Sequence, residues 1–214
     1  MTVLFLAVFI VSTAVHLYGS LKQNKLVRNI TKPFLLASLF GFYYFTADKV
    51  LPAILLALFF SWLGDVLLMP SGVKWFTAGG IAFMISHVFF IIGYCEDIVF
   101  TASRALVTVL LAALFFALVA YIFTKLKPHL PKALFYPMFL YLLINGAMNC
   151  FAVFRLISKP CVPTLITCIG AVLFFISDST LFFVRFKKDS RIKTHFWVML
   201  TYSIGELMII IGLL

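Results

Sequence analysis

Long apolar runs separated by short polar gaps fill this chain, and a helix needs roughly 20 mainly apolar residues to cross a bilayer. We predict eight transmembrane helices at about 2–21, 33–47, 50–69, 75–95, 105–124, 133–154, 162–184 and 194–214. The second run is short because Asp48 and Lys49 follow it closely, and with Pro52 they indicate a tight turn before the third. The predicted fold class is all-α, a polytopic membrane helical bundle.

The amino-acid composition excludes two other classes of protein. Hydrophobic residues make up 64% of the 214 and charged residues 11%, against roughly 25% charged in soluble domains. A soluble globule and a disordered chain are both excluded. The gaps are too short for a further domain, so residues 1–214 form one integral membrane domain. The net charge of +10 lies in these gaps and forms no long basic face, so we expect no nucleic-acid partner.

The basic residues predict an orientation. Thirteen of the 17 Lys and Arg lie on the side reached after the first run, in four gaps. They are Lys22, Lys25, Arg28, Lys32, Lys74, Lys125, Lys127, Lys132, Arg185, Lys187, Lys188, Arg191 and Lys193. By the positive-inside rule this side is cytoplasmic and both termini are not. A multi-pass protein of the bacterial inner membrane or of the eukaryotic endoplasmic reticulum fits equally well.

Ionisable residues inside the runs are costly in lipid and therefore point to function. Asp65 lies five residues before Pro70, roughly 7.5 Å from the cytoplasmic end of its helix, and Asp178 lies roughly 10 Å from the same side. His87, Asn145 and Glu206 fall at a similar depth. This shared depth predicts one pocket that opens toward the cytoplasmic leaflet. Alternatively, the aspartates pair with loop arginines and the other groups hydrogen-bond between helices.

The two aspartates also share local sequence. The segment Gly64-Asp65-Val66-Leu67-Leu68 resembles Ser177-Asp178-Ser179-Thr180-Leu181, and the two lie four runs apart. That spacing is typical of a parallel four-plus-four repeat.

A pair of buried carboxylic acids can hold two protonation states at once, so that one donates a proton while the other accepts one. Glycosidases use such a pair around an oxocarbenium-like transition state. Lys32 and Lys74 flank the predicted pocket on the headgroup side, where they meet a phosphate or simply mark the topology. The Cys and His spacings indicate no metal site, and no nucleotide-binding motif occurs.

Five short motifs then follow in order along the chain. They are Thr31-Lys32-Pro33, Ser61-x-x-Gly64-Asp65-x-x-Leu68, Ser86-His87-x-x-Phe90, Tyr141 to Met148, and Ser177-Asp178-x-x-Leu181. This series resembles the YhhN family, the lysoplasmalogenases, which are multi-span lipid hydrolases. Ser86 stands where the family usually has Gly, and the family often has Tyr near the position of Phe90. Glu206 lies outside these motifs.

The resemblance implies a reaction. The substrate is a lysoplasmalogen, a one-chain lipid with a vinyl ether, and the products are a fatty aldehyde and glycerophospho-choline or -ethanolamine. The resemblance makes Asp65 and Asp178 the catalytic pair, with acid and base unassigned, and implies neither metal nor cofactor. The expected substrate-binding or water-orienting residues are His87, Asn145, Glu206, Ser61, Lys32 and Lys74.

Expected partners are the lysophospholipid substrate and membrane lipids. Small residues such as Ala37 and Gly41 also allow packing between copies in a homo-oligomer. A proton-coupled transporter of a lipid-like amphipathic solute would use a carboxylate pair and a parallel repeat as well. A non-catalytic lipid sensor or partner-binding protein is the third interpretation. Formation of a product in detergent separates the enzyme from the other two.

Overall fold

The computed structural model describes residues 1–99, 101, 104–187 and 195–214. In these ranges the chain forms eight α-helices and no strand, which confirms the predicted all-α class. The helices are α1 (Thr2–Leu21), α2 (Lys25–Thr46), α3 (Pro52–Leu67), α4 (Val73–Cys95), α5 (Ala105–Leu126), α6 (Phe135–Ser158), α7 (Val162–Phe186) and α8 (Phe196–Ile211). Of the basic residues used to orient the chain, Lys188, Arg191 and Lys193 lie outside the described residues.

The predicted start of the second helix is wrong. We expected it at residue 33, but α2 begins at Lys25, where the Asn24 side chain caps it by accepting from the Val27 amide at 3.2 Å. Pro33 lies inside the helix, and the Trp62 indole donates to its carbonyl at 3.1 Å. Packing against a neighbouring helix makes an internal proline tolerable. Lys32 is therefore part of a helix.

Among the described residues, five segments are long and apolar enough to cross a membrane. They are α1, α4, α7, and α5 and α6 with their adjoining 3₁₀ turns. The apolar helices α3 and α8 have 16 residues each, about 24 Å of helix against a hydrocarbon core of about 30 Å. The basic residues Lys25, Arg28 and Lys32 lie in the first half of α2. The eight-span topology, the side of the termini and the four-plus-four repeat remain predictions.

Neighbouring helices pack as the hairpins α1–α2, α3–α4 and α7–α8, and α4 also packs against α6. The backbones of α7 and α8 approach so closely that a Cβ on Gly170 would meet the Gly205 carbonyl oxygen at 2.7 Å. The polar side chains of these two helices therefore keep a fixed relation. Helix α5 lies at the edge, where Val119 and Leu126 are its only buried residues among the described side chains.

A charged cluster closes the end of the bundle opposite Asp65 and Asp178. The buried Arg155 guanidinium donates to Asp97 at 2.9 Å, to the Thr167 hydroxyl at 2.7 Å and to the Gly212 carbonyl at 2.9 Å. Lys159 also contacts Asp97 at 2.9 Å. Partial burial alone would raise the pKa of Asp97, but the hydrogen bonds from Lys159 and Arg155 outweigh it and lower that pKa. The cluster joins the end of α4 to α6, α7 and α8.

Candidate active site

A cavity of about 1330 Å³ opens at the predicted cytoplasmic end of the bundle, and Asp65 and Asp178 both line it. Ligand pockets in proteins are commonly about 300–1,000 Å³, so this one has room for a molecule as large as a one-chain lipid. Lys32 lines the cavity too. Lys74 is exposed and is not among the lining residues.

Asp65 is held by one charged and one neutral partner. The Lys32 ammonium lies 3.1 Å from Oδ1, and the Tyr202 hydroxyl donates to Oδ2 at 2.9 Å. The aspartate side chain is 4% exposed and the lysine 15%. The lysine therefore supplies a counter-charge for the Asp65 carboxylate inside an apolar bundle.

Asp178 is held by neutral groups. Its Oδ2 accepts from the Tyr141 hydroxyl at 2.5 Å and from the Asn145 amide at 2.8 Å. The His87 Nε2 atom is 3.9 Å from the same oxygen, beyond hydrogen-bond reach. Asn149 donates to the Asn145 carbonyl and side-chain oxygens, which fixes the orientation of that amide. None of these contacts falls on Oδ1, so that oxygen is available to a ligand.

His87, Asn145, Ser61 and Glu206 lie behind the cavity wall rather than among its lining residues. Their burial is complete. Ser61 shares a hydrogen bond of 2.7 Å with Ser86, whose hydroxyl reaches the Ala57 carbonyl at 2.8 Å. The structure therefore brings Asn145 into contact with Asp178. His87, Ser61 and Glu206 are buried behind the residues that line the cavity.

The mouth of the cavity is electropositive. We call Lys25, Arg28, Arg185 and His195, which line it, the mouth cluster. Burial, together with the charges of Arg28, Lys32 and Arg185, lowers the pKa of His195 to about 4. This histidine is therefore neutral at pH 7 and leaves the positive charge to the lysine and arginine side chains. The sum of these charges suits an anionic group such as a phosphate.

An apolar side of the cavity lies between α4 and α6. We call it the apolar cleft; its lining residues are Gly80, Ile81 and Met84 from α4 with Tyr136, Pro137 and Leu140 from α6. Ile81, Tyr136 and Leu140 are also exposed on the outer surface. One cavity thus joins a basic mouth, two aspartates and an apolar cleft.

Sequence reasoning missed two of the groups that hold the aspartates. Tyr202 was not considered, although it lies four residues before Glu206 and hence on the same helix face. Lys32 was placed outside the span, so its pairing with Asp65 was not foreseen. The alternative in which the aspartates pair with loop arginines is not what the described residues show, since Asp65 pairs with Lys32 and Asp178 with neutral donors.

Fold and site together indicate a helical membrane protein in which two buried aspartates line the same large cavity. The model of the YhhN family matches residues 27–213, which is most of the chain. The protein belongs to the YhhN family, as its motifs predicted. No curated protein and no solved structure matches the chain.

Proposed function

We propose that the protein is a lysoplasmalogenase that hydrolyses the vinyl ether of a lysoplasmalogen inside the membrane. The observation that carries the proposal is the contrast between the two aspartates: Asp65 faces a lysine, and Asp178 faces neutral donors. One cavity thus holds a carboxylate suited to act as a base and a carboxyl group suited to act as an acid. Membership of the YhhN family is consistent with a hydrolase.

Asp178 acts first, as the acid. Its Oδ2 accepts from Tyr141 and Asn145, so the proton is carried on Oδ1 and passes to the β-carbon of the vinyl ether. The product of this step is an oxocarbenium ion next to the Asp178 carboxylate. The tyrosine and amide donors stabilise the carboxylate as its charge appears.

Asp65 acts second, as the base. Water adds to the oxocarbenium carbon and gives its proton to the Asp65 carboxylate beside Lys32, which leaves a neutral hemiacetal. Asp65 then returns this proton to the glycerol oxygen as the carbon–oxygen bond breaks, while Asp178 takes the hemiacetal hydroxyl proton. The aldehyde and the glycerophospho compound leave, and both aspartates regain their starting states.

The cavity accommodates the two ends of such a substrate separately. The mouth cluster provides cationic groups for the phosphate, and the apolar cleft provides a surface for the hydrocarbon chain. The vinyl ether, which joins the glycerol to the chain, then lies between them beside the aspartates. The placement of this mouth on the cytoplasmic side rests on the positive-inside rule.

The test is aldehyde release by the protein purified in detergent, where transport has no meaning. Asp65→Asn and Asp178→Asn keep the side-chain shape and remove the acid, and each should lose at least about 100-fold in activity. Asp48→Asn is the matched control, since Asp48 is exposed outside the helices. Turnover in D₂O should place deuterium on the carbon next to the aldehyde carbonyl.

If aldehyde release survives both aspartate changes, the protein is still a hydrolase, but the mechanism with an aspartate pair is refuted. If the folded wild type releases no aldehyde, the weight moves to the proton-coupled transporter, and uptake into vesicles becomes the next measurement.

A further inference from the structure

A second layer of polar residues lies one helical turn deeper than the groups that hold the aspartates. On α8, Glu206 lies four residues beyond Tyr202; on α6, Asn149 lies four residues beyond Asn145. On α3, which runs the opposite way, Ser61 lies four residues before Asp65. Four residues correspond to about 6 Å of helix, so these groups form one layer behind the cavity wall.

Most of this layer is buried without hydrogen-bond partners. Within the part of the chain that the structure describes, no partner is found for either Glu206 carboxylate oxygen or for either His87 ring nitrogen. The same holds for the Asn149 side-chain oxygen, the Tyr94 hydroxyl and the Ser203 hydroxyl. All five residues are at most 2% exposed. We call these five residues together with Ser61 the deep layer; Tyr94 lies about 10 Å of helix beyond His87, so the layer is about two helical turns deep on α4.

The unpaired groups lie close enough to the site to feel its charges. The charges of Asp65 and Asp178 act on the Glu206 carboxyl, and the charge of Glu206 acts on the Tyr94 hydroxyl. The Ser61 hydroxyl interacts with the Glu206 carboxyl outside the geometry of a full hydrogen bond, and it makes its 2.7 Å hydrogen bond to Ser86. His87 reaches to 3.9 Å from Asp178. Tyr94 lies seven residues beyond His87, and therefore on the same face of α4.

One isolated unpaired group could be tolerated, but several together are costly. Each buried polar group without a partner costs about 1–3 kcal/mol. Buried cavities lined by polar atoms hold ordered water, which typically makes two to four hydrogen bonds. The deep layer offers the donors and acceptors that such water needs: a carboxyl, an imidazole, an amide oxygen and two hydroxyls.

We propose that the deep layer binds an internal cluster of water molecules, and that this cluster supplies the water that hydrolysis consumes. The second half of this inference rests on the proposed function. A lipid that fills the cavity from its mouth displaces bulk water from that side, whereas the deep layer approaches the aspartates from behind. His87, next to Asp178, connects the layer to the site. Glu206 and His87 are thus positioning residues that hold water.

The first experiment detects the water without any need for activity. Hydroxyl radicals made from bound water by a synchrotron pulse label side chains beside it, even buried ones. Tyr94 should be labelled several-fold faster than Tyr43, which is equally buried but whose hydroxyl accepts from the Leu51 amide outside the deep layer. Equal rates for the two tyrosines in the wild type would overturn the proposal.

Two variants of one residue connect the water to turnover. Glu206→Leu replaces the carboxyl with an apolar group, so the labelling of Tyr94 should fall to the rate of Tyr43. Its kcat should fall by about 10- to 100-fold with KM unchanged, since only the position of water is lost. Glu206→Gln keeps hydrogen-bonding atoms and should retain the labelling and most of kcat.

The outcomes separate the internal water from its role in hydrolysis. If Glu206→Leu remains folded, loses the labelling and keeps its kcat, the role of this water in hydrolysis is refuted. If Glu206→Leu does not fold, the Glu206→Gln variant provides the test. Loss of Tyr94 labelling in Glu206→Gln would refute the proposal that Glu206 binds water. If the wild type releases no aldehyde but Tyr94 is labelled, the proposed function fails and the internal water stands.

Discussion

The contact between Lys32 and Asp65 is the feature whose removal should be most visible in stability. Its two charged atoms lie 3.1 Å apart, and both side chains are largely buried. At an effective dielectric constant of about 20, Coulomb's law gives about 5 kcal/mol of attraction at that distance. Desolvation offsets part of this, and removing one partner of a buried pair typically costs about 3–5 kcal/mol. We expect Lys32→Met to lower the free energy of unfolding by about 3 kcal/mol.

The cost should depend on whether Asp65 is charged. Asp65→Asn leaves Lys32 beside the open cavity, where its ammonium can turn toward water, so we expect a loss of only about 1 kcal/mol. In Lys32→Met/Asp65→Asn both charges are gone and Tyr202 can still donate to the amide oxygen. The double variant should therefore be more stable than the sum of the two single changes implies, with a coupling of about 2–3 kcal/mol.

Equilibrium unfolding in mixed detergent–SDS micelles, followed by tryptophan fluorescence, gives the four free energies of this cycle. Lys32→Met should lose less stability in acid, because a protonated Asp65 no longer needs a counter-charge. If Lys32→Met costs the same with Asp65 or with asparagine at that position, the lysine does not pair with a carboxylate. Asp65 could then not be assigned as the ionised base.

Three further predictions concern other parts of the molecule. Tyr141→Phe and Tyr202→Phe each remove a hydrogen bond to one of the two proposed catalytic aspartates, worth about 1.5–3 kcal/mol. Aldehyde release should fall about 10- to 100-fold, and unchanged rates would contradict the roles given to these bonds. Arg28→Gln should raise KM and leave kcat unchanged, since under the proposed function the mouth cluster binds the substrate phosphate alike in ground and transition states. Lys125→Gln, at an exposed lysine, should change neither. The pKa of Asp97 is lower in the folded protein than in the unfolded chain, so its ion pairs stabilise the fold above the unfolded pKa of about 4. This stabilisation disappears as the pH falls through the lower folded pKa. The free energy of unfolding measured against pH should show this loss, and Asp97→Asn should abolish it.

The sequence predicted the structure well where the free-energy cost of placing a polar group in lipid leaves few alternatives. Apolar runs predicted the helices, and the shared depth of Asp65 and Asp178 predicted a common pocket. An ionisable side chain inside a membrane is costly unless it faces a polar partner or a cavity. The sequence was less informative about which side chains contact the aspartates, because a lysine at a helix end and a tyrosine in a membrane helix are both common. The sequence makes Lys32 a phosphate contact or a topology marker just outside the second run, and neither interpretation pairs it with Asp65. No role for Tyr202 follows from the sequence analysis. They become partners of one carboxylate because α2 packs against α3 and because the Tyr202 side chain reaches Asp65 from α8.

The local repeat around the aspartates was misleading in one respect. Gly64-Asp65 and Ser177-Asp178 look equivalent, yet their contacts differ in charge. The difference arises from α2 and α6, which supply a lysine in one case and a tyrosine with an amide in the other. Similar sequence around a carboxylate therefore says little about its protonation, because its neighbours in space come from other helices.

The two sides of the cavity bear on how the products leave. Under the proposed chemistry the products differ sharply in solubility: the aldehyde prefers lipid, and the glycerophospho compound prefers water. The mouth cluster faces the aqueous end, whereas Ile81, Tyr136 and Leu140 of the apolar cleft are exposed on the outer surface of the bundle. Under the proposed function, each product would thus have its own exit, and the aldehyde would partition into the surrounding lipid. Product inhibition should accordingly depend on the ratio of lipid or detergent to protein, and measured turnover should rise as that ratio increases.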